Sequence, residues 1–170
     1  MPKKTDKKQK KKVIVAVSGG FDPLHIGHVR MLEQAKALGD ELVVILNNDN
    51  WLRKKKGHAF MPQEERAEIL RALRAVDRVI ITKHKENTKD VSVSAEIMEL
   101  KPHIFGKGGD RSPNDMPIPG SEVDVCGAIG CKIVYNLGEG GKVQSSSWLL
   151  DEYLAKKLGK KPRAKLDRKN

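Results

Sequence analysis

The chain has little cysteine and few aromatic residues. Its two thiols, Cys126 and Cys131, supply no disulfide framework, and a zinc site would need further ligands at suitable spacing that are not nearby. Both are expected as small, buried, reduced side chains, although their five-residue separation leaves an incidental disulfide open. Two tryptophans, two tyrosines and three phenylalanines are no basis for a base-stacking surface; Trp148 reads as core and Trp51 as loop packing. No apolar run approaches the ~20 residues needed to cross a bilayer. The lysine-rich N-terminus lacks the apolar centre of a signal peptide. The cytoplasm is therefore the expected location.

Acidic residues are outnumbered, 22 against 33 lysines and arginines, for a formal net charge of +11. The excess sits at the ends. Residues 1–12 hold seven lysines and one aspartate, and residues 156–170 hold eight basic residues and one aspartate. That leaves 18 basic and 20 acidic residues between them, a nearly neutral body. Like-charge blocks repel and stay solvated, so the expected organisation is a disordered basic tail at 1–12, one folded domain at 13–155 and a second basic tail at 156–170. The tails are candidates for contact with nucleic acid or anionic surfaces, an attraction that salt would screen. At 170 residues a single domain can bury about two-thirds of its unfolded surface.

What the sequence does have is alternation. Val13–Val17 and Leu42–Leu46 are continuous apolar runs suited to strands buried on both faces. Shorter runs at 78–82, 104–105 and 132–135 follow. Helical periodicity fills the gaps: Val29 to Leu38 with Gly39 as C-cap, a helix opening at Pro62 and running to about Ala75, the end of a helix at Ser94–Leu100, one near Val123–Ile129, and a last from about Trp148 to Leu158. Asn47–Asn50 reads as a turn and Arg53–Gly57 as a basic loop. Strands alternating with helices imply an α/β fold: a Rossmann-like single domain, with a largely parallel five-stranded sheet and helices on both faces. Three polar, glycine-bearing turns fall after strands, at 18–28, 106–111 and 136–147. In such sheets ligands bind beyond the carboxyl ends of the strands, so these turns are expected to form one site.

The first of these turns, Gly19-Gly20-Phe21-Asp22-Pro23-Leu24-His25-Ile26-Gly27-His28, joins a strand to a helix start. Glycine lets the backbone approach an anion, and amides at a helix N-terminus point at it. His25 and His28, three apart, share a helical face and add donors that can follow developing charge. Two histidines without a positioned carboxylate make a poor metal site, so no protein-ligated metal is expected.

The segment resembles the H-x-G-H signature of the cytidylyltransferase-like nucleotidyltransferase superfamily. Further matches follow in order: Lys56-Gly57 with Pro62-x-x-Glu65-Arg66, Ala75–Val79, Lys107-Gly108-Gly109-Asp110 and Ser145-Ser146-Ser147. Within the superfamily the chain is most similar to heptose-1-phosphate adenylyltransferase, favoured by K-G-G-D, and to glycerol-3-phosphate cytidylyltransferase. Asn136-Leu137 stands where the latter has an arginine–threonine pair linked to cytosine recognition, which leaves the base open. Class I aminoacyl-tRNA synthetases share H-I-G-H, but this chain is too short and lacks K-M-S-K-S.

The resemblance implies Mg²⁺-dependent transfer of AMP or CMP from ATP or CTP to a small phosphorylated alcohol or sugar, with release of pyrophosphate and no covalent enzyme intermediate. It makes His25, His28 and Lys56 the catalytic candidates, with Lys54 and Lys55 competing for the role of Lys56. It makes Gly20, Phe21, Asp22, Gly27, Arg66, Gly108, Gly109, Asp110, Ser145, Ser146 and Ser147 the nucleotide-binding candidates. Asp22 either caps the turn or meets Mg²⁺ through water, and Arg66 has a surface salt bridge as its plainer role. A homodimer is implied as well. The alternatives are a cofactor-forming adenylyltransferase acting on FMN, nicotinamide mononucleotide or phosphopantetheine, and a non-catalytic nucleotide- or nucleic-acid-binding module.

Overall fold

The computed structural model describes residues 11–109, 120–138 and 144–159. Asp110, most of the loop expected at 111–120, the middle of the glycine turn after Gly138 and most of both basic tails lie outside the described residues. The element order is β1 (Ile14–Gly19), α1 (Ile26–Lys36), β2 (Glu41–Leu46), α2 (Asp49–Lys56), α3 (Gln63–Arg71), β3 (Arg78–Ile81), α4 (Ser94–Leu100), β4 (Ile104–Gly108), α5 (Gly120–Ile129), β5 (Lys132–Leu137) and α6 (Ser146–Lys157). All four pairings are parallel, in the order β3-β2-β1-β4-β5.

Alternation along the strands divides the interior in two. Val15, Val17, Leu42, Val44 and Leu46 face Leu32 and Ala35 of α1 and Ala67 and Leu70 of α3. Ala16, Ile45 and Phe105 face Val93, Ile97 of α4 and Cys126 of α5. The central strands are thus apolar on both sides, which is why they read as unbroken hydrophobic runs. The expected single α/β domain with a five-stranded parallel sheet covered on both faces is what the chain forms. Both cysteines are buried and unbridged. Among the described residues no helix is long and apolar enough to cross a membrane.

Four local expectations are corrected. Asn47–Asn50 and Arg53–Gly57 are not turn and loop: they frame α2, with Asn48 as N-cap accepting the Trp51 N–H at 3.0 Å and Gly57 closing the helix at φ +82°. Asparagine suits a cap as well as a turn, and the fully buried Leu52 supplies the inward face that the run of basic residues hides. Trp51 accordingly packs from a helix, and its indole donates to the Val91 carbonyl at 2.8 Å. Gly39 does not cap α1, which closes at Ala37 in right-handed conformation. Gly39 instead lies against β1, where a Cβ would come within 2.8 Å of the Val13 carbonyl. Finally, α3 ends at Arg71 rather than near Ala75, because the chain tightens into the turns Leu73 to Leu70 and Val76 to Leu73.

The sheet has one irregularity. Gly106 pairs with Val134, but Gly108 pairs with Leu137, so β5 carries an extra residue. Asn136 sits in this bulge at φ +62°.

Candidate active site

Chain order reverses about β1, whose neighbours are β2 on one side and β4 on the other. A crevice opens outside the strand ends at such a switch point. Here a cavity of about 350 Å³ lies there, bordered by the tips of β1, β4 and β5 and by the first turns of α1 and α6. The three glycine-bearing turns do converge.

On the α1 side, His25 is the N-cap, in extended conformation. Its ring stacks on that of His28, centroids 3.7 Å apart at 22°, and the His28 ring lies 4.8 Å from Phe21. The His25 backbone N–H donates to His28 Nδ1 at 3.3 Å. A nitrogen that accepts carries no proton, so the neutral His28 ring is protonated on Nε2. Burial first, and then the charges of His25 and Lys56, push His28 down to about 3. It is an uncharged N–H donor at neutral pH.

Phe21 adopts φ +50°, unusual for a bulky residue, and is held there from below. Arg66, only 1% exposed, donates through Nη1 to the carbonyls of Gly20 (2.6 Å) and Asn47 (2.8 Å) and through Nε to that of Met61 (2.9 Å). Its Nη2 meets Asp49 at 2.6 Å in the first turn of α2. Asp22, also buried, accepts the backbone N–H groups of Phe60 and Met61 at 2.7 and 2.8 Å. The two side chains therefore fasten both ends of the segment 49–61 to the glycine turn. That segment carries Lys56 to the cavity wall.

On the far side, Gly109 packs so close to the β5 tip that a Cβ would fall 3.1 Å from the Gly138 carbonyl. The Gly138 N–H is taken by Gln34 of α1 at 2.6 Å. Ser145 is the N-cap of α6, yet no serine hydroxyl makes the expected cap bond. Ser146 Oγ instead donates to the Pro23 carbonyl at 2.9 Å, tying α6 to the histidine turn. Two helix N-termini thus border one cavity, each presenting amides without intrahelical partners.

Of the expected site residues, Phe21, His25, Gly27, His28, Lys56, Gly108, Gly109 and Ser145, Ser146 and Ser147 border the cavity. Gly20, Asp22 and Arg66 do not; they brace the turn from behind. Ser18, Arg30 and Gln144 border it without having been singled out. Arg30 could have been found as the cation two residues beyond His28, whereas Ser18 is one strand-end serine among many. Among the described residues on the border Arg30 and Lys56 are cations and none is a carboxylate. For the expected Mg²⁺, the described residues offer no donor set: no cluster of three potential ligands occurs among them, and the carboxylate of Asp22 is occupied.

The profile of the cytidylyltransferase-like family matches residues 16–116, more than half of the chain. The chain belongs to that family. A FAD synthase of Pyrococcus horikoshii is 44% identical over 102 residues, covering 59% of this chain and 66% of that protein. The bifunctional protein HldE of Pelobacter propionicus is 38% identical over 144 residues, 84% of this chain but only 25% of its own length. Among solved structures, a lipopolysaccharide core biosynthesis protein of Thermoplasma volcanium superposes with a TM-score of 0.61 at 28% identity, over 75% of this chain and 98% of that one. Within the matched residues, the turn His25-Ile26-Gly27-His28 lies at the mouth of the cavity.

Proposed function

We propose that this chain is an adenylyltransferase: it transfers AMP from ATP to the phosphate of a phosphorylated acceptor and releases pyrophosphate. The observation that carries this reading is a cavity at the sheet's switch point that two helix N-termini, Arg30 and Lys56 make electropositive, with no carboxylate among the described residues on its border. Such a site suits a polyanion. Attack by an acceptor phosphate oxygen on the α-phosphorus forms one P–O bond and breaks the bond to the pyrophosphate oxygen, so positioning and charge stabilisation suffice. His28 Nε2–H donates to an α-phosphate oxygen, His25 supports the same group from its stacked position, and Lys56 meets the departing phosphates. Adenine is favoured over cytosine because the chain is similar to FAD synthases at 42–51% identity.

FMN is the first acceptor proposed, on the same similarity. A sugar phosphate is the second, favoured by the greater length of the HldE match. The test is a matrix of ATP and CTP against FMN, a hexose 1-phosphate and glycerol 3-phosphate, read by pyrophosphate release and by chromatography of the product. FAD formed from ATP and FMN supports the first acceptor; a sugar nucleotide formed in its place supports the second. Pyrophosphate release with CTP alone contradicts the base, and none in any cell contradicts the activity.

A further inference from the structure

An ion pair is buried directly behind the cavity, and the reaction described above gives it no task. Lys107, the next-to-last residue of β4, and Glu122, in the first turn of α5, are 8% and 3% exposed, with Lys107 Nζ 2.8 Å from Glu122 Oε2. Taking both charges out of water costs several kcal/mol per ion before their attraction returns any of it, so an apolar pair would serve the core as well. One of the pair's other contacts leads to the site. Lys107 Nζ lies 4.3 Å over the Phe105 ring and donates to Ser18 Oγ at 3.3 Å. Glu122 Oε1 accepts the Val93 N–H at 3.1 Å, which fixes the carboxylate from the α4 side. Ser18, at the tip of β1, borders the cavity.

The chemistry of that contact sets the direction of a proton. An ammonium only donates, so Ser18 Oγ must accept, and its own O–H then points away from Lys107. Among the described residues no acceptor takes that hydrogen. We propose that Ser18 is a substrate-binding residue whose hydroxyl donates to a phosphate oxygen in the cavity, and that Lys107 and Glu122 are positioning residues that hold it in this orientation. A hydroxyl that accepts from a cation is also the stronger donor. The phosphate belongs either to the nucleotide or to the acceptor, and this inference rests on the adenylyltransferase reading.

The experiment is a double-mutant cycle on the full chain with Ser18→Ala and the paired replacement Lys107→Met with Glu122→Gln, which leaves no orphan charge. ATP affinity is measured by calorimetry without acceptor, and kcat and KM for both substrates by pyrophosphate release. Ser18→Ala should keep the wild-type Tm and weaken one substrate about tenfold: ATP affinity if the phosphate is the nucleotide's, acceptor KM if it is the acceptor's. The paired variant should move the same parameter in the same direction, and should add nothing in the Ser18→Ala background. Wild-type affinity and KM for both substrates in Ser18→Ala would overturn the proposal, as would a full additive loss in the combined variant. Wild-type protein that binds ATP with unaltered Ser18→Ala sinks this inference alone; wild-type protein that neither binds ATP nor releases pyrophosphate sinks the adenylyltransferase reading with it.

Discussion

Because His28 is neutral at physiological pH, it offers a phosphate a directed N–H rather than a positive charge. Replacing it with alanine should lower kcat/KM on the order of 10²–10³-fold, the usual loss for one preorganised donor, without lowering the Tm. Its titration also has a stability signature. An imidazole held down to about 3 in the fold, against 6.5 unfolded, takes up protons more readily in the unfolded chain. Stability is then fully present above about pH 6.5, is lost as pH falls through that value, and loses nothing more on this account below about 3. Thermal melts between pH 7 and 4 should therefore slope more gently for His28→Gln than for the wild type; equal slopes would contradict the buried, uncharged state. Arg66 tests the opposite kind of role. It satisfies three carbonyls and one carboxylate from a buried position, so Arg66→Met should cost about 3–5 kcal/mol, the usual penalty for breaking a buried pair. In a chain of this length that is a fall of about 10 °C in Tm. A small change in Tm with a large change in ATP affinity would return Arg66 to the nucleotide.

At the scale of elements, α2 behaves as an arm that brings one cation to the cavity. Its base is held by Arg66 and by the Asn48 and Asn50 amides on the His84 carbonyl, and its tip ends in Lys56. Lys56→Ala should leave the Tm within about 2 °C of wild type, as surface changes do. Turnover should fall on the order of 10²-fold, checked by pyrophosphate release. The helix α6 is held differently. None of its residues belongs to either core cluster, so Trp148 is half-buried and not the core residue expected, and Ser146 hooks the first turn to Pro23. Ser146→Ala should speed amide exchange in α6 while that of β1 and β2 stays unchanged. The strands and the glycine turns were legible in the sequence because β-branched runs and Gly-Gly-Phe-Asp-Pro carry their structure locally. The arm was not, since Asn48 has the same chemistry as a turn residue and the four basic residues mask the one inward leucine. Nor could the bracing role of Arg66 be read: its partner Gly20 lies 46 residues away, and an arginine enclosed by carbonyls is a property of the tertiary fold alone.

For the whole molecule, the near-neutral body and the basic ends are separate matters. Removing residues 1–10 and 160–170 should leave kcat unaltered while weakening any retention on a heparin or anionic-lipid surface, and a matching loss of turnover would show that the ends take part in catalysis. A homodimer, which the family resemblance alone implies, would have a face to use, because Tyr153 and Leu154 of α6 and Leu158 just past its end are exposed. Light scattering should give twice 18.9 kDa, and Leu154→Glu should halve it. The bulge at Asn136 bears on how such copies meet. A foreign strand can extend a sheet only along an unbroken ladder of backbone groups, and β5 is bent out of line where that ladder would form. At the opposite margin β3 offers only four residues, with the charge of Arg78 at its start and that of Lys83 two residues past its end. Both borders of the sheet are thereby closed to recruitment, so concentrated solutions of this protein should form discrete particles through side-chain faces and not cross-β fibrils.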